Sequence, residues 1–296
     1  MSNSFESMRG AIEESLGKLL PQSGHPQAKP LDQALHYALF PGGKRLRPIL
    51  TLLGAQVFRS DATAAMPAAC AIEFVHTSSL IFDDLPCMDD AGVRRGLPVL
   101  HRVYGEEIAL LAGLALLNQS FAIFSQSVDL MREATDCIGM KGMIGGQALD
   151  LAPQNLPGVD APQLSAAERS AVLSERNRKT SAMMRLALTA GALACGTPAA
   201  EVSALAHAGH RLGEAYQICD DLLDVRHTSM QTGKTAGQDL RHARPSHGHA
   251  DDQAALGQAQ SMIEETRSVL QTAYGNERVA ALLGFIDAMF ARLVAA

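Results

Sequence analysis

Tryptophan is absent from the 296 residues and aromatic side chains make up only 4% of them, which removes the stacking platforms that bind single-stranded nucleic acid. A cationic excess is missing too. The 25 Lys and Arg against 31 Asp and Glu leave a formal charge of −6, the wrong sign for a nucleic-acid footprint. The five cysteines, at positions 70, 87, 137, 195 and 219, are odd in number, far apart and never in a CxxC pair. They make neither a disulfide framework nor a zinc site, and they fit a reducing compartment. The first twenty residues carry Glu6, Glu13 and Glu14 where a secretory signal needs an apolar stretch. The longest apolar run, 108–117, is half of the roughly 20 residues that span a membrane. The expectation is a soluble cytoplasmic protein with no nucleic-acid partner and no membrane span. Charged residues, at 19%, fall below the usual level of about 25%, which favours a compact or oligomeric body.

What is present is helical. Apolar residues recur at helical spacing over 4–20, 31–39, 46–58, 64–84, 104–127, 130–150, 166–195, 199–227, 254–273 and 277–294, while strand alternation is almost nowhere. Pro153, Pro157, Gly158 and Pro162 break the chain between two of these segments. No linker separates two cores, so one all-α domain over 1–296 is the simplest reading. Residues 228–253 are polar, rich in Gly and His and without a period. A stretch of that length inside a compact domain is functional or mobile.

Two acidic clusters stand out. Asp83-Asp84-Leu85-Pro86-Cys87-Met88-Asp89-Asp90 closes an otherwise apolar helix, where carboxylates oppose the helix dipole and raise one another's pKa. Such a cluster persists where cations offset it, and Mg²⁺ with its few carboxylates plus substrate phosphates is the natural choice. The second cluster is Gln217-Ile218-Cys219-Asp220-Asp221-Leu222-Leu223-Asp224. Gln217, Asp220 or Asp221, and Asp224 share one helix face, where the neighbouring period places core residues. An inward polar stripe needs a polar partner. Each cluster alone is as readily a solvated face; together, on two long apolar helices, they point to facing magnesium sites. Cations stand beside them. Gly42-Gly43-Lys44-Arg45-Leu46-Arg47-Pro48 joins a flexible turn to three cations, and Arg94-Arg95-Gly96 follows the first acidic cluster. Arginine grips phosphate oxygens bidentately, so the implied substrate is an anion carried with metal ions.

The ordered motifs GGKRLRP, HxxSxxxDDLPCMDD, RRGLPVLHxxYGE, GGQALDL, KTSA, YQICDDLLD and TGKTAG, spread over residues 40–240, resemble the trans-isoprenyl diphosphate synthases of the farnesyl and geranylgeranyl type. The resemblance implies a single large helical bundle of the isoprenoid synthase type with a central active-site cavity, the segment 228–253 moving over it. It implies the head-to-tail (1′-4) condensation of isopentenyl diphosphate with dimethylallyl, geranyl or farnesyl diphosphate, with three Mg²⁺, in a homodimer. Residue by residue, Lys44, Arg47, His76 and Arg95 match positions that hold the diphosphate of isopentenyl diphosphate, and Arg94 matches the grip on the allylic diphosphate. Asp83, Asp84 and Asp89 match ligands of two Mg²⁺; Asp220, with Asp221 and Asp224, matches the third. Lys179, Thr180, Gln217 and Lys234 line the allylic site and flank the developing carbocation. The family's GKD reads Gly237-Gln238-Asp239 here, and Arg244 stands where a phosphate-facing lysine is lost or moved. His242, His247 and His249 read as a solvated loop, and the methionines at 131, 140, 143, 183 and 184 as core or tunnel filler.

Product length is read from the helix that carries Asp83. Ser79 and Ser78 lie four and five residues before it, about one helical turn of 5.4 Å, close to one isoprene unit. Relatives that stop at fifteen carbons commonly carry an aromatic ring at the fifth position; Ser78 cannot block by bulk. The tunnel then continues to Phe74 and Val75, and Leu114, where many farnesyl synthases read Asp, makes the neighbouring helix more apolar. Geranylgeranyl diphosphate is therefore the expected product, with farnesyl diphosphate the alternative. A non-catalytic helical partner subunit of a prenyl synthase is a second alternative. A terpene cyclase would need no GGKRLRP and normally carries Asn, Ser and Glu in its second motif.

Overall fold

The computed structural model describes residues 3–40, 42–59, 61–151, 175, 177–226 and 252–294. The amphipathic start is α1, Asn3–Leu19, which buries Ile12 and Leu16. Pro30 in its first turn opens α2, Lys29–Leu39, where a proline's missing N–H has no helical partner to lose. Next come α3, Leu46–Gln56, and α4, Met66–Asp83, both apolar on nearly every side and buried accordingly. The apolar pattern read as one helix over 104–127 is one long helix, preceded by a short one that reaches the pattern only at Tyr104. Gly105, at φ 87°, ends α5, Leu100–Tyr104, and starts α6, Glu106–Phe124; that backbone is left-handed and suits a residue without Cβ. The pattern over 130–150 splits into α7, Val128–Ile138, capped by the Ser127 side chain, and α8, Met143–Leu151. The remaining helices are α9, Arg178–Ala194; α10, Ser203–Arg226; α11, Asp252–Tyr274; and α12, Asn276–Val294.

Among the described residues, the only sheet is the two-stranded hairpin β1, Val93–Arg94, with β2, Leu97–Pro98. Arg95 and Gly96 bridge it at φ 54° and 77°, the double positive φ of a tight hairpin turn.

Helix α9 is the axis of the bundle. It is buried almost without interruption from Thr180 to Leu193 and packs on α3, α4, α7, α8 and α10. Glycines set these crossings at backbone contact. A Cβ on Gly54 of α3 would sit 2.1 Å from the Leu188 carbonyl oxygen, one on Gly146 of α8 2.4 Å from the Lys179 nitrogen, and one on Gly213 of α10 2.3 Å from the Ser181 Cα. Lys179 and Thr180 are thereby pinned between α8 and α10.

Helices α4 and α6 are long and apolar enough to cross a membrane by length and composition alone, a test that core helices also pass; two thirds of the apolar window ending α4 and 39% of that in α6 are buried. Leu110, Leu111 and Leu114 are 44%, 50% and 54% exposed on α6's outer face, so Leu114 shapes the surface. Met140 is 75% exposed and fills nothing, whereas Met183 and Met184 are core.

Candidate active site

The first acidic segment folds back over the C-terminal end of α4. The Asp89 N–H donates to the Asp83 carbonyl at 3.0 Å, that of Asp90 to Leu85 at 3.1 Å and that of Ala91 to Asp84 at 3.2 Å. The carbonyls a helix leaves open at its end are thus occupied, and Asp89 is returned to Asp83. Burial pushes both the Asp83 and Asp84 carboxyls above the usual range, and the neighbouring Asp89 adds to the rise. Arg94, delivered by the hairpin, donates to Asp84 from Nε at 2.8 Å to each carboxylate oxygen and from Nη2 at 2.7 Å. The family resemblance matches it to the grip on an allylic diphosphate; in the structure it holds a carboxylate of the adjoining motif.

Arg95, the next residue, goes the other way. Its guanidinium lies against Gly43, where an added Cβ would stand 3.3 Å from Nη2. It joins Arg47, whose Nη1 is 3.5 Å from His76 Nε2, at the start of α3. Burial lowers the Arg95 pKa, and Arg45, Arg94 and Arg47 lower it further. His76 is held well below its ordinary value by burial and then by Arg47, Arg95, Arg94 and Arg45, so it stays neutral among cations. Arg47 Nε is buried with no hydrogen-bond acceptor. A cluster of half-buried arginines with an unused buried donor is built for an anion. Lys44 is exposed at its mouth. Arg45, counted with the other two cations of the motif, is turned into the core.

The second half of the site comes from α8, α9 and α10. Lys179 Nζ donates at 2.8 Å to both Gln147 Oε1 and Asp150 Oδ2, and burial, which would discharge it, is outweighed by Asp83, Asp150 and Asp89. The Thr180 hydroxyl donates to Gln217 Oε1 at 2.8 Å, and Gln217 Nε2 donates to Asp221 at 2.8 Å. Gln147 and Asp150 belong to the GGQALDL motif, to whose side chains the sequence reading assigns no role; their i, i+3 spacing one turn apart is the available signal. Asp220 is partly buried one residue before the buried Asp221. Asp224 lies on the same helix, its side chain outside the described residues, as are Lys234, Arg244 and all of the segment 228–253 except the first turn of α11.

Deeper along α4, Ser78 and Phe74 are 1% and 0% exposed, and the Ser78 hydroxyl has no hydrogen-bond partner. Ser79 instead donates back to the His76 carbonyl at 2.8 Å. Among the described residues, no three His, Cys, Asp or Glu side chains close on one point as a metal cage. Buried carboxylates with raised pKa beside one another nevertheless suit Mg²⁺, which takes one or two carboxylates and completes its shell with water and phosphate.

Residues 28–279 match the family model described as polyprenyl synthetase. Geranylgeranyl pyrophosphate synthase 12, chloroplastic, of Arabidopsis thaliana is 38% identical over 247 residues, which are 80% of this chain and 67% of the relative. The heterodimeric geranylgeranyl pyrophosphate synthase large subunit 2 of the same plant is 36% identical over 81% of this chain and 62% of its own. The chain thus spans between three fifths and two thirds of these relatives' lengths. Among solved structures, a geranyltransferase from Helicobacter pylori, complexed with magnesium and isoprenyl diphosphate, aligns at TM-score 0.77 and 30% identity, covering 97% of this chain and 96% of that one.

Proposed function

The chain belongs to the polyprenyl synthetase family, and from that premise we propose that it condenses isopentenyl diphosphate with allylic diphosphates, head to tail, and releases geranylgeranyl diphosphate. The observation that carries the reading is the hairpin that sends Arg94 to the acidic pole at Asp84 and Arg95 to the anion pocket at Arg47 and His76. Two diphosphate sites of opposite construction, one presenting carboxylates for a metal-bound anion and one presenting arginines directly, are what a two-diphosphate reaction requires. Asp83, Asp84, Asp89, Asp220, Asp221 and Asp224 would hold Mg²⁺, for which we propose a count of three; bound there, it offsets charge on the diphosphate as its C–O bond breaks.

The protein's own groups do the rest. Lys179, held by Gln147 and Asp150 and kept charged by Asp83, Asp150 and Asp89, is placed to meet the departing diphosphate. The single Thr180 hydrogen is committed to Gln217, and the Gln217 amide is oriented in turn by Asp221. The Thr180 oxygen can therefore present only lone pairs to the cavity, the polarity that favours an allylic cation. Arg47, His76, Arg95 and Lys44 hold the second diphosphate so that its double bond meets that cation. The released diphosphate is the base for the final proton, and no side chain is assigned to the step.

We also propose one domain over 1–296 and a homodimer formed across α6. Its outer face shows Leu110, Leu111 and Leu114, and a second copy is the occupant whose own matching leucines would cover them. Incubating the purified chain with Mg²⁺, isopentenyl diphosphate and each of the three allylic diphosphates, then weighing the products, tests the whole reading. Twenty-carbon product supports it, termination at fifteen selects the farnesyl alternative, and no product from any pair overturns catalysis by this chain alone.

A further inference from the structure

Arg45 sits between Lys44 and Arg47, the two cations assigned to a diphosphate, yet its side chain is fully buried on the opposite side. Its Nε donates to Glu13 Oε1 at 2.8 Å and its Nη2 to Glu13 Oε2 at 3.0 Å. Nη1 donates to Glu73 Oε1 at 2.6 Å, and Nη2 also reaches the Leu39 carbonyl at 2.7 Å. One guanidinium therefore ties α1, the last residue of α2, and α4 to the residue that opens α3. Its backbone is left-handed, φ 51°, a conformation a side chain with Cβ adopts only when its surroundings enforce it. Gly42 folds over the guanidinium, and a Cβ there would stand 2.0 Å from the guanidinium carbon. The two glycines of the motif thus serve two arginines, Gly42 covering Arg45 and Gly43 touching Arg95.

The clamp has a consequence for the anion pocket. Glu73 stands one turn before His76 on α4, and Arg45 two residues before Arg47. Fixing Arg45 to Glu73 therefore fixes the distance between the two walls of the pocket, while Glu13 closes the clamp from α1. We propose that Arg45 is a positioning residue for the isopentenyl diphosphate site, holding Lys44 and Arg47 in register with His76 through Glu13 and Glu73, and that α1 is thereby part of the site's framework. The inference rests on the assignment of that site made above.

The test is steady-state kinetics, with melting temperatures, on Glu13→Gln, Arg45→Lys and Lys44→Ala. Glu13 is one-third exposed, so its neutral isostere leaves the least buried charge without a partner and is the variant to rely on if Arg45→Lys fails to fold. Lysine retains the charge but cannot fork to two carboxylates. The expected result for Glu13→Gln is a KM for isopentenyl diphosphate raised roughly tenfold, with kcat and the allylic KM within about twofold; Arg45→Lys, where it folds, shows the same split. If Lys44→Ala raises that KM and Glu13→Gln leaves it unchanged, or lowers activity toward both substrates only as the protein melts, the clamp is merely structural and the proposal is overturned. If Lys44→Ala leaves that KM unchanged, the site assignment itself fails and the proposal goes with it.

Discussion

Substituting Ser78 by phenylalanine tests the tunnel at its narrowest point of argument. Asp83 ends α4; Ser78 lies about 7.5 Å and Phe74 about 13.5 Å back along the axis at ~1.5 Å per residue. The interval of about 6 Å is close to one isoprene unit. Ser78 is 1% exposed and its hydroxyl is unpartnered, an unusual state for a buried polar group; the tunnel reading requires that a hydrocarbon meet it there. A ring there raises the floor from Phe74 to position 78, and the product loses one five-carbon unit, from twenty carbons to fifteen. Stability separates this from simple damage. A ring entering open space costs little, whereas a ring forced into a packed helix contact costs about 1–3 kcal/mol, roughly 2–12 °C of Tm at the ~2–4 °C per kcal/mol of a chain this large. Product masses and scanning calorimetry on the same preparation decide. Twenty-carbon product together with a depressed Tm would refute the reasoning, as would a wild type that already stops at fifteen.

The acidic poles make a simpler case: Asp83→Ala and Asp220→Ala should each lower turnover by orders of magnitude with an unchanged helical circular dichroism spectrum, and near-normal turnover in either defeats the metal assignment. Leu111→Glu with Leu114→Glu should convert a dimer into a monomer in sedimentation velocity at micromolar concentration; a monomeric wild type would count against the α6 interface. His76 is held neutral well below its ordinary value of 6.5, so between those two values the unfolded chain binds a proton that the native one does not, and stability falls as pH drops below about 6.5. A diphosphate beside it restores the proton's favour. Isothermal titration of inorganic diphosphate at pH 6 in buffers of different ionisation enthalpy should then show proton uptake that His76→Gln reduces, and equal uptake in both proteins would sink the assignment. Gly213→Ala, placing a Cβ 2.3 Å from Ser181 Cα, should both lower Tm and cut kcat by shifting Gln217 from Thr180; a variant with wild-type melting and turnover would show that the crossing has slack.

The bundle was legible in the sequence because helical period is a local property, repeated within each segment. The breaks were harder. Gly105 inside 104–127 looks like any tolerated helix glycine until its φ is seen to be 87°. The acidic clusters were readable for a related reason, since their members are near neighbours in the chain. Arg45 was not. Nothing within ten residues of it says that its charge is answered by Glu13 and Glu73, 32 and 28 positions away, and a run of cations is read by default as facing one ligand. Gln147 and Asp150 escaped for the same cause, because their meaning is set by Lys179 on another helix. The exposure of Leu114 and Met140 could not be told from hydropathy, which reports how apolar a residue is and not which way it points.

The backbone crossings at Gly54, Gly146 and Gly213 divide the molecule into a part that tolerates change and a part that does not. Where main chain meets main chain there is no side chain to trade for another, so the spacing of Lys179, Thr180 and Gln217 has almost no mutational neighbours. The floor proposed at Ser78 and Phe74 would be made of side chains alone, open to residues of other sizes. A catalyst arranged like this can drift in the length of what it makes while its chemistry stays still, and a lineage can sample new products without first losing the old reaction.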